Sequence, residues 1–154
     1  MKFLYVTDVP LMDHHYSMTY SSVVSWDNVH IAFLVSLIND FGVLAGDIQD
    51  SYPNAPTKDK LQLYTGDEQK SDHERIVLII WSLYGLKYSA LMWNNHISNV
   101  LGNKLGLKYS PADPYVWYKA ATDETGFEYY NYILVYVDYI LVMNKTPKKY
   151  VDMF

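Results

Sequence analysis

The sequence predicts an α+β domain, and three observations carry that prediction. First, its 154 residues are half apolar, enough for one domain with a real core. Second, helical and strand-like patterns occur in the order helix, strand, turn, strands, helix, strands, without the strict βαβ alternation of a parallel fold. Third, Tyr132–Met143 consists of two apolar β-runs with one acidic residue, Asp138, at the joint, the pattern of an antiparallel hairpin with an exposed carboxylate at its tip.

Taken in order, residues 1–25 show no clear period, although Val23-Val24 suggests a short extended piece. Asp27 is suited to cap a helix running to about Asp40. That helix is apolar nearly all round (Val29, Ile31, Phe33, Leu34, Leu37, Ile38), which predicts substantial burial. Gly42 fits the position just past its C-terminus. Val43–Gln49 reads as a strand, after which Pro53 and Pro56 break the chain into a turn. Leu61–Tyr64 alternates as a strand, and Gly66–Glu74 is polar and loop-like. The unbroken apolar run Ile76–Trp81 predicts an interior strand. Ser89 is placed to cap a second helix with the stripe Met92, Trp93, Ile97, Val100, Leu101 and Leu105, ended by Gly106. Tyr115–Tyr118 predicts a strand, Thr122–Gly126 a turn, and Phe127–Val137 with Ile140–Met143 the hairpin. A further element begins at Pro147.

Composition excludes several classes. Ile76–Trp81 is too short to span a bilayer, and Asp138 interrupts the longest apolar stretch, so no membrane association is expected. Lys2 is followed only by Phe3–Val6 before polar residues, which gives no signal peptide. With no cysteine there is no disulfide, thiolate zinc site or cysteine nucleophile, and an intracellular setting is the default expectation. The net charge is −5 and Arg75 is the only arginine, which counts against strong nucleic-acid binding by the chain alone. Sixteen tyrosines suit β-sheet packing with a wet tip, with base stacking as the alternative use.

Two carboxylates sit at analogous places, Asp47 near the end of a short strand and Asp138 at the hairpin tip. If those strands are neighbours, the pair suits Mg²⁺, which binds through one or two carboxylates plus waters and substrate phosphates. The plainer reading is that Asp47 ends a strand and Asp138 fills a turn, where aspartate is common. His14, His15, His30, His73 and His96 lack zinc spacing, and no nucleophile elbow, P-loop or dinucleotide fingerprint occurs. Lys145, Lys148 and Lys149 form a small basic cluster, suited to a solvated face or to phosphate.

Five stretches coincide with a known family: Tyr20–Ser25; Gly46-Asp47-Ile48-Gln49-Asp50-Ser51-Tyr52-Pro53-Asn54-Ala55-Pro56; Ser82-Leu83-Tyr84-Gly85-Leu86-Lys87-Tyr88-Ser89 with Trp93; Ala112-Asp113-Pro114 with Val116-Trp117; and Tyr136-Val137-Asp138-Tyr139. In these, in their order and in their approximate spacing, nearly the whole chain resembles the copia-type retrotransposon reverse transcriptases. The resemblance implies a right-hand polymerase, with fingers over 1–42 and 57–81, a palm with an antiparallel sheet over 43–56 and 82–146, and the thumb missing. It implies RNA-directed DNA polymerase activity with Mg²⁺, acting on an RNA/DNA primer–template and a deoxynucleoside triphosphate. Asp47 and Asp138 match catalytic, metal-holding aspartates. Tyr52 matches the aromatic that excludes a ribose 2′-hydroxyl. Tyr84 and Gly85 match the lining of the nucleotide site, and backbone N–H groups of Gln49, Asp50 and Ser51 are suited to triphosphate oxygens.

The sequence departs from the family at Tyr139, where a second aspartate is expected. A phenol there removes a negative charge and a hard oxygen ligand, and it is neutral at physiological pH. Lys2 is the one basic residue near the expected fingertips, and Trp26 and His30 stand where basic residues are expected. The resemblance therefore implies a degenerate copy with impaired nucleotidyl transfer. Two alternatives stay open: an active polymerase completed by another chain, and a non-catalytic binding or scaffold protein that keeps the fold.

Overall fold

The structure is a computed structural model that describes residues 6–7, 22–64, 76–86 and 88–154. Along the chain the elements are β1 (Val6–Thr7), α1 (Trp26–Ile38), β2 (Gly42–Asp47), a 3-10 turn (Tyr52–Asn54), β3 (Pro56–Tyr64), β4 (Ile76–Trp81), α2 (Ser89–Asn99) running into a π turn (Val100–Lys104), β5 (Lys108–Tyr109), β6 (Val116–Thr122), β7 (Glu128–Tyr136), β8 (Tyr139–Asn144) and α3 (Pro147–Val151). The mixture of helices and antiparallel sheet is the α+β class. The Gly66–Glu74 loop, His14, His15, His73, Arg75, Lys2, Lys87, Tyr20 and Ser21 lie outside the described residues. Among the described residues no helix is long and apolar enough to cross a membrane.

The chain divides into two compact units, Met1–Ser21 with Tyr52–His96 and Ser22–Ser51 with Ile97–Phe154. The first holds an antiparallel sheet in the order β1-β3-β4. Pro56 opens β3, a position where the missing N–H costs no ladder bond. The interior strand expected over Ile76–Trp81 is instead an edge strand, paired with β3 alone among the described residues, with Ile76, Val77, Leu78, Ile80 and Trp81 exposed. An apolar run reports hydrophobicity; it does not report whether a second strand or a covering layer is there.

The second unit is built on a five-stranded antiparallel sheet, β2-β8-β7-β6-β5. Directly paired residues share a face and successive residues alternate. On one face Leu134 and Met143 pack with Val24 and Ala32, flanked by Val29, Tyr132 and Leu141. On the other, Gly42 and Gly46 of β2 face α3: a Cβ at either would lie 3.0 Å from Pro147 or Val151. Ile133, Val142 and Leu101 are fully buried.

Helix α1 departs from expectation in three ways. Its N-cap is Ser25, whose hydroxyl accepts the Asn28 N–H at 3.3 Å, and Asp27 lies inside the first turn. Asp40, at φ +54°, takes the left-handed position expected of Gly42, which opens β2 instead. The helix buries only Ala32 and Ser36, while Leu37 and Ile38 are 80% and 81% exposed. A helix that is apolar all round can bury only the stripe that meets its neighbour, and here that stripe is narrow.

Candidate active site

The β7–β8 hairpin closes with the smallest common loop. Tyr136 pairs with Tyr139, leaving Val137 and Asp138 as a two-residue turn. Such turns need a positive φ at the first central residue, normally supplied by glycine. Here Val137 takes φ +55°, an uncommon state for a β-branched residue. Asp138 is half-buried in this turn.

Strand β2 lies directly beside β8, so the neighbour relation that the two carboxylates require is met. The register pairs Asp47 with Tyr139, and the next residue, Ile48, donates its N–H to the Asp138 carbonyl at 2.8 Å. Asp47, the last residue of β2, and Asp138, in the turn that leads into β8, therefore lie at the same end of the sheet. By the same register Asp47, Tyr139 and Tyr136 form a row across one face, and Tyr139 is 54% exposed. Beyond β2, Gln49 and Asp50 are exposed in a turn with Asp50 at φ +52°, and Ser51 is buried.

In the other unit, Tyr52 is half-buried in the 3-10 turn with its ring centroid 4.7 Å from that of exposed Tyr84. Gly85 has φ +90° with open space where a Cβ would sit, so backbone conformation accounts for the glycine here. Ser89, expected as a cap, is the first helical residue of α2, and its hydroxyl donates to the Leu83 carbonyl at 2.6 Å, closing the Leu83–Ser89 segment.

Four of the remaining candidates, Lys145, Lys148, His30 and His96, have structural partners. Lys145 pairs with Asp123, and Lys148 pairs with Asp152 at 3.3 Å. His30 lies beside the Trp26 ring and His96 stacks on Trp93. Sequence reasoning gave no role to Asp113, which proves to be a buried carboxylate hydrogen-bonded to Ser25, Asn28 and Tyr115. The Ala112-Asp113-Pro114 block marks the residue, but its partner Asn28 lies 85 positions away, a distance no local pattern encodes.

Among the described residues no group of three or more His, Cys, Asp or Glu side chains could hold a metal ion by itself. A hard cation that completes its shell with water and phosphate oxygens needs only one or two protein carboxylates, and Asp47 at the end of β2 and Asp138 in the turn before β8 are the two the sequence singles out. They do not form a closed protein cage.

An antiparallel sheet with helices against it, one aspartate closing β2 and another in the turn before β8, defines an α+β domain with an acidic sheet end. The chain belongs to the reverse transcriptase (RNA-dependent DNA polymerase) family, whose description matches residues 8–153. It is 35% identical over 82 residues to a Saccharomyces cerevisiae protein described as a transposon Ty5-1 protein, covering 51% of this chain and 25% of that relative. The chain thus spans about a quarter of that relative's length. Both findings bear out the copia-type resemblance. No solved structure matches the chain. The family generally works with divalent metal ions and binds nucleic acid and nucleotide.

Proposed function

We propose that this chain carries a degenerate nucleotidyl-transfer site, in the fingers (1–42 and 57–81) and palm (43–56 and 82–146) of a copia-type reverse transcriptase whose RNA-directed DNA synthesis is impaired. The observation that carries this reading is the pairing of Asp47 with Tyr139. The position directly across from one aspartate, and next to the other, holds a neutral phenol where the family resemblance implies a carboxylate.

In this reading Asp47 and Asp138 are the residues that would hold Mg²⁺. Bound there, the ion would supply positive charge for an attacking hydroxyl and a leaving pyrophosphate. Tyr139 adds no charge to that site, so two carboxylates rather than three would be left to hold the cation. By the family resemblance, Tyr52, whose ring lies beside that of Tyr84, takes the role of the aromatic that excludes a ribose 2′-hydroxyl, and Tyr84 and Gly85 take that of the nucleotide-site lining. Backbone N–H groups of Gln49, Asp50 and Ser51 meet triphosphate oxygens. The partners are an RNA/DNA primer–template and a deoxynucleoside triphosphate, and the net charge of −5 weakens the first. Loss of one preorganised electrostatic group lowers a rate by about 100-fold or more.

Mg²⁺-dependent primer extension by the purified chain tests the proposal. The expected result is extension at or near background. Robust extension that disappears with Asp138→Asn contradicts impairment.

A further inference from the structure

We infer that Asp113 is a positioning residue whose carboxylate fixes the end of β7 leading into the Asp138 turn. Its meaning for catalysis rests on the role proposed for Asp138; the anchoring itself does not.

Asp113 belongs to a block with no part in the proposed chemistry, yet it is only 7% exposed. Its Oδ2 accepts the Ser25 N–H at 3.2 Å and the Asn28 Nδ2–H at 2.7 Å. Its Oδ1 accepts the Tyr115 N–H at 2.9 Å, and its carbonyl accepts the Val116 N–H at 3.1 Å. Among the described residues no Lys, Arg or His forms an ion pair with it. The charge is held by neutral donors at the start of α1, where an anion is favoured. A buried carboxylate so bonded is costly to disturb, because each donor left behind is desolvated without a partner.

The two backbone segments that this carboxylate bridges both hold Val135. Val24, next to Ser25, donates its N–H to the Val135 carbonyl at 3.3 Å. Tyr115 accepts the Val135 N–H at 2.9 Å. Regular β6–β7 pairing begins with Val116 and Leu134, so Val135 lies just past the ladder and takes both bonds from the Asp113 assembly. Val135 is 3% exposed, so neither of its backbone groups has water to fall back on. After it come only Tyr136 and Val137 before Asp138. Val137 is in a left-handed conformation that persists only where its surroundings hold it. Asp113 therefore supports the strained turn from one side of β7, while β8 supports it from the other.

Amide hydrogen exchange by NMR on the whole 154-residue chain tests this. Asp113→Ala is expected to speed exchange at Ser25, Tyr115 and Val135 by about tenfold or more, with smaller changes around Ala121 and Tyr129 at the far end of the β6–β7 ladder. Asp113→Asn, which keeps the shape and one acceptor oxygen, is expected to fall between. Should Asp113→Ala fail to fold, Asn28→Ala removes a single donor and is expected to give the same selective pattern at smaller amplitude. Added Mn²⁺ is expected to broaden the Asp138 amide in wild type, less so in Asp113→Ala, and to an intermediate degree in Asp113→Asn. If Mn²⁺ leaves the wild-type Asp138 signal unchanged, the metal reading fails and exchange alone decides the anchoring. Uniform acceleration across the whole sheet, or no acceleration at Val135, overturns the inference.

Discussion

At the scale of single residues, the turn around Asp138 joins a strained conformation to a carboxylate proposed to hold the metal ion. Val137 at φ +55° carries a penalty of about 1–2 kcal/mol that glycine does not, partly offset by the extra chain entropy of glycine in the unfolded state. Val137→Gly is therefore expected to raise stability by about 0.5–1 kcal/mol in urea unfolding. Asp47 is exposed and forms no ion pair among the described residues. Asp47→Asn is expected to leave stability within about 0.5 kcal/mol of wild type in the same measurement, the range for surface substitutions away from special features. A conserved stability together with lost Mn²⁺ affinity would mark Asp47 as a residue kept for chemistry. A tight hairpin turn holding Asp138 was legible in the apolar runs on either side, but its place was not: strands over Phe127–Val137 and Ile140–Met143 leave Asp138-Tyr139 as the turn, whereas Tyr139 pairs with Tyr136 and the chain turns at Val137-Asp138. That valine accepts the glycine conformation was not legible either, because the flanking strands impose it against local preference.

At the scale of elements, two devices hold the second sheet together. The β6–β7 turn is organised by Asp123, whose Oδ1 accepts the Thr125 N–H and hydroxyl at 2.9 and 2.6 Å and the Phe127 N–H at 2.9 Å. Its Oδ2 pairs with Lys145 just past β8, and the Lys145 ammonium lies 5.1 Å from the Phe127 and Tyr129 ring centres. Lys145 first, then Thr125, hold the Asp123 carboxyl well below the usual carboxylate range. A depressed folded value contributes stability that is present above the unfolded carboxylate value and lost as pH falls through the folded one. Stability is thus expected to decline below about pH 4, and the decline should be shallower in Asp123→Asn, measured by thermal unfolding from pH 6 to pH 2. The second device is the close seat of α3 on β2. A Cβ at residue 46 would lie 3.0 Å from Val151 and 3.4 Å from Ile140, so Gly46→Ala is expected to cost about 1–3 kcal/mol. Strand and helix existence was mostly legible from periodicity. The pairing of β2 with β8 was not, since some ninety residues separate Asp47 from Tyr139 and hydrophobic pattern carries no register across that gap. The exposure of α1 and β4 was missed for a related reason: pattern shows what an element could bury, and the neighbour decides what it does bury.

At the scale of the whole molecule, large apolar side chains remain at the surface. Trp26, Ile31, Leu34, Leu37 and Ile38 on α1, and Ile76, Leu78 and Ile80 on β4, are all more than half exposed. Exposed apolar patches of this kind drive association. The purified chain is expected to self-associate with rising concentration in sedimentation velocity. Leu37→Glu with Ile38→Glu should reduce that association without loss of folding, because neither side chain is buried. The chain belongs to the reverse transcriptase family, and the impairment proposed for it rests on the pairing of Asp47 with Tyr139. The most direct test is Mg²⁺-dependent primer extension by Tyr139→Asp beside wild type on the same primer–template. A gain of about 100-fold or more over a near-background wild type is the predicted result. Equal rates in the two proteins, whether both high or both at background, would contradict the claim that Tyr139 is what limits this site.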